Sequence, residues 1–134
     1  MRVFFFMTKK ILLMVSSGRQ STEALHFAMH KAKEMKGGLR VIYAVDSATP
    51  EDPMQTKKAL EGIEKQARTF QVPVETESKT GSYFHLCEEF ARKDDVALLV
   101  VAEKKDSFLK KVFEESETKK LKDRVACEIK VYPS

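Results

Sequence analysis

Small hydroxyl residues follow the most apolar stretch of the chain. Ser16, Ser17 and Gly18 come directly after the apolar run 11–15. A serine at the end of a buried strand can act as a nucleophile, but that role needs the Gly-x-Ser-x-Gly pattern and a histidine base, and neither is found here. The three small residues instead indicate a tight turn where a strand ends.

Basic residues follow the second strongly apolar run, Val96–Ala102. Lys104 and Lys105 come shortly after it, behind Glu103. Lysines at the end of a strand can hold a phosphate, whereas a charge run of this kind can equally form a solvated surface. Phosphate binding and simple solvent exposure are therefore both kept as interpretations of this cluster.

Two histidines lie one helical turn apart. His26 and His30 are at i, i+4 beside Glu23, a spacing that can ligate a metal ion. Both fall away from the apolar face that contains Leu25 and Ala28, and no third ligand follows them in the pattern. We therefore predict solvated histidines and no metal site.

Composition predicts one globular domain without a nucleic-acid or membrane partner. The 134 residues include 33% charged residues, and a net charge of +4 arises from lysines that are interleaved with acids. No basic stripe carries stacking aromatic residues, so nucleic-acid binding is not expected. No apolar run approaches the about 20 residues of a membrane span.

The cysteines and the N-terminus predict a cytoplasmic protein. Cys87 and Cys127 are far apart in apolar patterns, which is typical of reduced, buried thiols. Residues 1–7 (MRVFFFM) are too short an apolar run for a signal peptide, and no small-residue cleavage site follows. We predict an N-terminal extension at residues 1–7, with Met7 as an alternative start, and a single domain over residues 8–134.

Periodicity places these residues on alternating strands and helices. We predict strands at 11–17, 39–45, 72–78, 96–102 and 127–132, and helices beginning near Ser21, Thr49 and Ser82. Thr49 is the expected N-cap of the second helix, with Pro50 at its first position. After the fourth strand, the pattern predicts a short apolar helix turn, a loss of the apolar period at 114–120, and a further helical piece around Leu121.

This alternation predicts an α/β fold with a single open five-stranded parallel sheet and helices on both faces. Two apolar strands in the centre favour the order 3-2-1-4-5, a Rossmann-like arrangement. Ligands bind such sheets at the carboxyl ends of the strands, where the strand order reverses. The expected crevice is lined by Ser16, Ser17, Gly18, Asp46, Glu103, Lys104 and Lys105.

Four stretches resemble the universal stress protein family of the UspA type. They are KKILLMVSSGRQSTEAL, GGLRVIYAV, TGSYFHLCEEFARKDDVALLVV and VACEIKVY. The resemblance covers nearly the whole chain after Met7. It implies the adenine nucleotide alpha hydrolase-like version of the fold, a homodimer, and a cytosolic stress-response or regulatory role, with ATP or AMP bound by some members.

The residues that bind nucleotide in the family are replaced in this sequence. Nucleotide-binding members carry an Asp after the first strand, and Ser16 stands there. They also carry G-x2-G-x9-G-[ST] after the fourth strand, where this chain has Glu103, Asp106 and Ser116. Glycines let the backbone N–H groups approach phosphates, and a carboxylate in the same place repels them. We predict no ATP binding in the usual mode and no required cofactor.

The resemblance and the residues together predict a non-enzymatic regulatory homodimer. A further regulatory protein is a possible partner class, and the alternative is a sensor that takes a nucleotide or phosphorylated ligand in an altered way. The expected dimer interface is the last strand, through Glu128, Ile129, Lys130, Val131 and Tyr132. Its alternation predicts Cys127, Ile129 and Val131 on the helix-covered face and the other three residues on a solvated face.

Overall fold

Strands and helices alternate along the chain. The computed structural model describes residues 9–48, 51–104 and 108–133, so the predicted extension at residues 1–7 lies outside it. The elements are β1 (Lys10–Ser16), α1 (Thr22–Glu34), β2 (Gly38–Val45), α2 (Pro53–Thr69), β3 (Val74–Thr80), α3 (Tyr83–Ala91), β4 (Val96–Ala102), α4 (Phe108–Arg124) and β5 (Glu128–Tyr132).

The five strands form one parallel sheet in the order β3-β2-β1-β4-β5. Fold class and strand order are therefore confirmed. β3 lies at one edge, where the preceding Pro73 cannot disturb a central ladder. β1 and β4 are neighbours in the centre, with Leu12 paired to Leu99. The crossovers leave β1 in opposite directions, which opens a crevice at the carboxyl ends of these two strands.

Alternate side chains of β1 enter two different cores. Ile11, Leu13 and Val15 belong to the layer that contains the buried residues of α1 and α2. Leu12 and Met14 belong to the layer that contains the buried residues of α3. Because both faces of the strand are covered, its sequence shows a continuous apolar run instead of an alternation.

The two N-terminal helices begin at residues with capping side chains. Ser21 Oγ accepts a hydrogen bond from the Ala24 N–H at 3.1 Å, as expected for an N-cap. Asp52 caps α2 through a 3.0 Å hydrogen bond from the Met54 N–H to Oδ1. The prediction that Thr49 caps this helix was wrong. The cap-proline pattern occurs twice within five residues, and the copy with a carboxylate caps the helix, since a negative charge favours the helix N-terminus.

α4 is a single helix, so the two helical pieces suggested on either side of residues 114–120 are continuous. The helix continues from Phe108 to Arg124, and Leu121 near its end is buried. The polar stretch is rich in Glu and Lys, which are strong helix formers. An ion pair between Lys120 and Glu117 at 3.3 Å supports the exposed face. The loss of the apolar period in this stretch reflects solvent exposure of the helix and does not mark the end of the helix.

Gly62 lies in the middle of α2 beside a shallow cavity of about 220 Å³ between α1 and α2. A Cβ at this position would meet nothing within 4 Å. We expect Gly62→Ala to raise the free energy of unfolding by roughly 0.5–1 kcal/mol, because alanine lowers the entropy cost of helix formation. Urea denaturation measures this gain.

The same substitution at Gly18 is the control for this prediction. Gly18 has a φ of +79°, a conformation that costs an alanine roughly 1–2 kcal/mol. Gly18→Ala should therefore lower the stability that Gly62→Ala raises. Equal effects of the two substitutions would contradict this account of Gly62.

Charged side chains form a network that connects neighbouring strands of the sheet. The Arg40 guanidinium donates to both carboxylate oxygens of Asp95, at 3.1 and 2.9 Å, and Nε donates to Glu75 Oε1 at 2.8 Å. Lys10 also donates to Glu75. Hydrogen bonds from Arg40 lower the pKa of Asp95, and hydrogen bonds from Lys10 and then Arg40 lower that of Glu75. Ion pairs between these side chains thus connect β1, β2, β3 and the start of β4.

Candidate functional site

A crevice of about 560 Å³ lies at the carboxyl ends of β1, β2 and β4. This volume is typical of a small-molecule site. Its described lining consists of Ser16, Ser17, Gly18, Arg19, Ala44, Asp46, Ser47, Glu51, Gly81, Ser82, Tyr83, Phe84 and Lys104. The crevice is therefore where the strand order predicts it.

A tight turn at the end of β1 forms the floor of the crevice. The Arg19 N–H donates to the Ser16 carbonyl oxygen at 3.0 Å, which closes the turn. Gly18 adopts a positive φ of +79° there. The Ser16 hydroxyl lies 3.4 Å from the Ser17 carbonyl oxygen and donates to it, so this serine is not paired with a general base. The turn supplies small polar surface to the crevice, in agreement with the tight-turn interpretation.

Five of the predicted crevice residues line it: Ser16, Ser17, Gly18, Asp46 and Lys104. Glu103 is half-buried and does not belong to the described lining; its N–H donates to the Tyr132 carbonyl oxygen at 2.8 Å. Ser116 is exposed within α4 and is likewise not part of that lining. Lys105 lies outside the described residues. The predicted residues at the ends of β1 and β2, together with Lys104 after β4, thus line one crevice.

Arg19 is a crevice residue that sequence reasoning missed. It is only 7% exposed, and Nη1 donates to the Ala102 carbonyl oxygen at 3.2 Å. Its guanidinium lies over the Tyr83 ring at 4.2 Å and the Phe84 ring at 5.1 Å. The Tyr83 hydroxyl in turn donates to the Met14 carbonyl oxygen at 2.9 Å. A buried charge is thereby fixed at the ends of β1 and β4 by stacking and hydrogen bonding.

Glu51 forms the wall of the crevice next to β2. The Tyr43 hydroxyl donates to Glu51 Oε1 at 2.8 Å. Burial and the Glu51 carboxylate raise the pKa of Tyr43 to about 12, so the hydroxyl keeps its proton at neutral pH. The signal for this contact in the sequence was weak, because Glu51 lies in a loop and Tyr43 in an apolar strand. The bond holds a carboxylate at the crevice near Asp46.

The outer edge of β5 is a second candidate site. Tyr132 O accepts from Glu103, so this carbonyl faces the β4 side. Backbone groups alternate along a strand, and those of Ile129 and Val131 therefore face the outer edge. β5 is an edge strand of the sheet that the described residues form. This edge is able to pair with another strand.

One face of β5 differs from the prediction. Cys127, Ile129 and Val131 pack against the core layer of α3, as expected. The opposite face is not fully solvated, because the Tyr132 ring packs at a tilt against Phe27 of α1, with 5.5 Å between ring centroids. The last strand thus carries an aromatic residue that its alternation assigned to solvent. The exposed positions of that face are Glu128 and Lys130.

His26 and His30 are both exposed on α1, and one of them contributes to surface packing. His30 meets the Phe70 ring edge-on, with centroids 4.6 Å apart. Among the described residues, no group of three or more His, Cys, Asp or Glu side chains is arranged to hold a metal ion. No helix in this described part of the chain is long and apolar enough to cross a membrane.

Comparison with known proteins identifies the family. The model of the universal stress protein family matches residues 7–133. The chain therefore belongs to the universal stress protein family, and the resemblance seen in the sequence is confirmed. No curated protein sequence matches the chain.

Solved structures of universal stress proteins are similar to this chain in fold. One is a universal stress protein in complex with cAMP, with a TM-score of 0.74 and 15% identity over 94% of this chain and 97% of that chain. UspA from Lactobacillus plantarum has a TM-score of 0.74 and 20% identity over 92% and 97%. A protein from Archaeoglobus fulgidus in complex with dAMP has a TM-score of 0.69 and 14% identity over 93% and 98%. Likeness at these identities concerns the fold alone.

Proposed function

We propose that this universal stress protein is a cytoplasmic, non-enzymatic regulatory protein that acts as a homodimer through contacts with protein partners. The observation that carries the proposal is the outer edge of β5, along which no strand of the described residues pairs, beside the exposed side chains of Glu128 and Lys130. A bare edge of this kind favours strand addition from a second chain.

The charges on β5 favour one antiparallel register. With the twofold axis at Ile129, Glu128 of one copy lies opposite Lys130 of the other, twice per dimer. These residues form non-hydrogen-bonded pairs, whose Cα atoms are only about 4.5 Å apart. With the axis at Lys130, two lysines would face each other at the same short distance. Opposite charges stabilise such pairs by roughly 0.2–1 kcal/mol each, and like charges destabilise them.

Native mass spectrometry combined with light scattering tests the proposal. We expect a species of twice the 15.3 kDa chain mass at micromolar concentration. Association in the micromolar range corresponds to a free energy of roughly 8 kcal/mol. A protein that stays monomeric at every concentration up to about 100 μM associates more weakly than this and would contradict the proposal. The same spectra report any small molecule that stays bound after purification.

A second candidate function is supported by the crevice. In this role the protein senses a phosphorylated small molecule, which changes its contacts with partners. The crevice has the volume and position of a ligand site in this fold class, with Lys104 at the end of β4. Two of the similar structures are complexes with cAMP and dAMP, ligands with a single phosphate group. A monophosphate therefore fits this role better than a triphosphate does.

ATP should bind weakly or not at all. Gly18 is the single described glycine at the β1 and β4 ends of the crevice, and Glu103 and Asp106 occupy two family glycine positions after β4. Backbone N–H groups are then less able to surround three phosphates. Calorimetry with Mg-ATP should show no saturable binding below about 1 mM ATP. The binding free energy is then weaker than roughly 4 kcal/mol.

The double change Glu103→Gly with Asp106→Gly is the companion to this measurement. It restores two glycines and removes two carboxylates, so we expect it to strengthen ATP binding. Micromolar binding of Mg-ATP by the unchanged protein would contradict the prediction. If the double variant binds ATP with unchanged affinity, the two glycines alone do not determine the affinity for ATP.

A further inference from the structure

We propose that the groove between α1 and α2 is a docking site for an acidic amphipathic helix of a partner protein, which places a bulky apolar side chain over Gly62. The inference rests on the regulatory function proposed above, and it names the surface and the kind of partner for that function. The groove is separate from the crevice and from the outer edge of β5, because its described lining residues belong to neither.

Gly62 carries the first step. It is exposed in the middle of α2, and a glycine destabilises a helix interior relative to alanine. A Cβ at this position would meet nothing within 4 Å, so packing within the described chain does not require a glycine. The helical backbone does not require one either, because every residue except proline adopts it readily. The missing side chain instead leaves the groove open to a group from outside the chain.

The groove has an apolar floor and a polar rim. Its volume of about 220 Å³ is below the roughly 300–1,000 Å³ of small-molecule pockets. Thr22 of α1 and Gln66 of α2 are exposed on the rim. The floor consists of core residues beneath the two helices: Leu13, Val15, Leu25 and Ile63. A space of this size and polarity suits one or two apolar side chains of a docked helix better than a free ligand.

The exposed surface of α2 extends this site along the helix. Met54, Lys58, Gly62 and Lys65 follow one another at intervals of four, four and three residues, so they form one stripe. Among the described residues, Met54 is the most exposed large apolar side chain, at 60%. Methionine adapts its shape to a partner and is common on binding surfaces. An apolar end and an open centre on one stripe match the spaced anchor residues of an amphipathic helix.

Positive charge determines which amphipathic helix fits. The exposed charged residues between positions 54 and 66 are Lys57, Lys58 and Lys65, with Glu61 as the single exposed acid. Within the described part of the chain, neither Lys58 nor Lys65 forms an ion pair. Acidic side chains on the partner gain opposite charges on this stripe, while a basic helix is repelled by it. The partner helix is therefore apolar on one side and acidic beside it.

Selection from a phage-displayed library of amphipathic helices tests the inference. The library presents helices of about 16 residues, or roughly four turns, with randomised apolar and flanking positions. The full chain is the target. We expect enriched peptides to carry leucine or phenylalanine at intervals of three and four residues, with aspartate or glutamate beside them. A selection that enriches no peptide, or only basic helices, would overturn the proposal.

Variants at Gly62 separate docking from stability. Gly62→Leu fills the groove and should weaken the selected peptide's affinity by roughly five- to a hundredfold, the usual cost of overpacking, as measured by fluorescence anisotropy. Gly62→Ala adds one methyl group and should weaken binding less, while its melting temperature rises. A loss of affinity in a more stable chain does not come from unfolding. If thermal unfolding shows that Gly62→Leu is not folded, Gly62→Ala gives the answer.

Lys58→Glu with Lys57→Glu as its matched control tests the charge. Lys58 lines the groove, whereas Lys57 is outside its described lining and is turned by about 100° around the helix axis. Lys58→Glu should weaken peptide binding by roughly two- to thirtyfold, the effect of reversing one or two exposed charge pairs. Lys57→Glu should change it by less than about twofold, because salt screens charges that do not face each other. Equal effects of the two substitutions would contradict the assigned position of the acidic side chains.

The oligomeric state, measured on the same samples, keeps this inference distinct from the proposed function. If the protein is a dimer and the Gly62 variants bind the selected peptide as the unchanged protein does, the docking site is overturned and the homodimer stands. If the protein is a monomer and Gly62→Leu abolishes peptide binding, the homodimer is overturned and the docking site stands.

Discussion

Lys130→Glu is expected to shift the protein from dimer to monomer. In the register centred on Ile129, the change replaces two attractive Glu128–Lys130 pairs by two repulsive pairs. Each reversal changes the free energy by roughly twice the 0.2–1 kcal/mol of a cross-strand pair, or about 1–4 kcal/mol per dimer. The dissociation constant should rise by roughly fivefold to nearly a thousandfold, as measured by sedimentation equilibrium.

Adding Glu128→Lys to this variant should restore the dimer, because the charges are then opposite again with their positions exchanged. Lys79→Glu is the control: it makes the same charge change on β3, the other edge strand, where Lys79 pairs with Glu77 at 3.0 Å. Dimerisation should be unaffected by it. A double variant as monomeric as Lys130→Glu would contradict this register.

Arg40→Met is expected to destabilise the fold and to reduce its sensitivity to acid. Methionine retains the apolar stem, but Asp95 and Glu75 lose the guanidinium that binds both. The Arg40 side chain is only 15% exposed, whereas its partners are 35% and 52% exposed. Solvent screening of the partners discounts the loss to about 1–2 kcal/mol at pH 7. Urea denaturation at pH 7 measures it.

The pH dependence of this stabilisation follows from the direction of the pKa shifts. The pKa values of Asp95 and Glu75 are lowered in the folded state. Their contribution is therefore complete above the unfolded values near 4 and is lost as the pH falls through the folded values. The melting temperature of the unchanged protein should fall more steeply between pH 5 and pH 3 than that of Arg40→Met.

Arg68→Met is the control for Arg40→Met. Arg68 is an exposed arginine that pairs with Glu64 at 3.1 Å one turn away on α2. Exposed pairs at this spacing contribute about 0.3–0.5 kcal/mol. Similar losses in the two variants, or equal acid sensitivity of Arg40→Met and the unchanged protein, would contradict a special role for the network.

The strand order could be predicted from the sequence because it depends on the number of buried faces. A strand covered on both sides must be apolar throughout, as β1 and β4 are, while Glu75, Glu77 and Lys79 alternate on the edge strand β3. The helix boundaries could be predicted less well than the strand order. Thr49 and Asp52 both precede a proline, and local sequence does not tell which of two neighbouring caps is used.

The candidate site was predictable where strand ends determine it. Ser16 ends one buried strand and Asp46 directly follows another, so parallel pairing brings them to one edge. Arg19 and Tyr83 were missed because their contact joins a turn to a helix start that is distant in sequence. Arginine in a loop is ordinarily exposed. Arg19 is buried because tertiary packing brings the Tyr83 ring against its guanidinium.

The central position of β1 also affects how the nascent chain folds. β2 follows β1 after one helix, whereas the partner on its other side, β4, is made only after most of the chain. Pairing Leu12 with Leu99 closes a long loop, which slows folding. While the ribosome is still synthesising α3, one apolar edge of β1 lacks its neighbouring strand. We expect the nascent chain to be most prone to aggregation, and to need a chaperone most, until β4 has emerged.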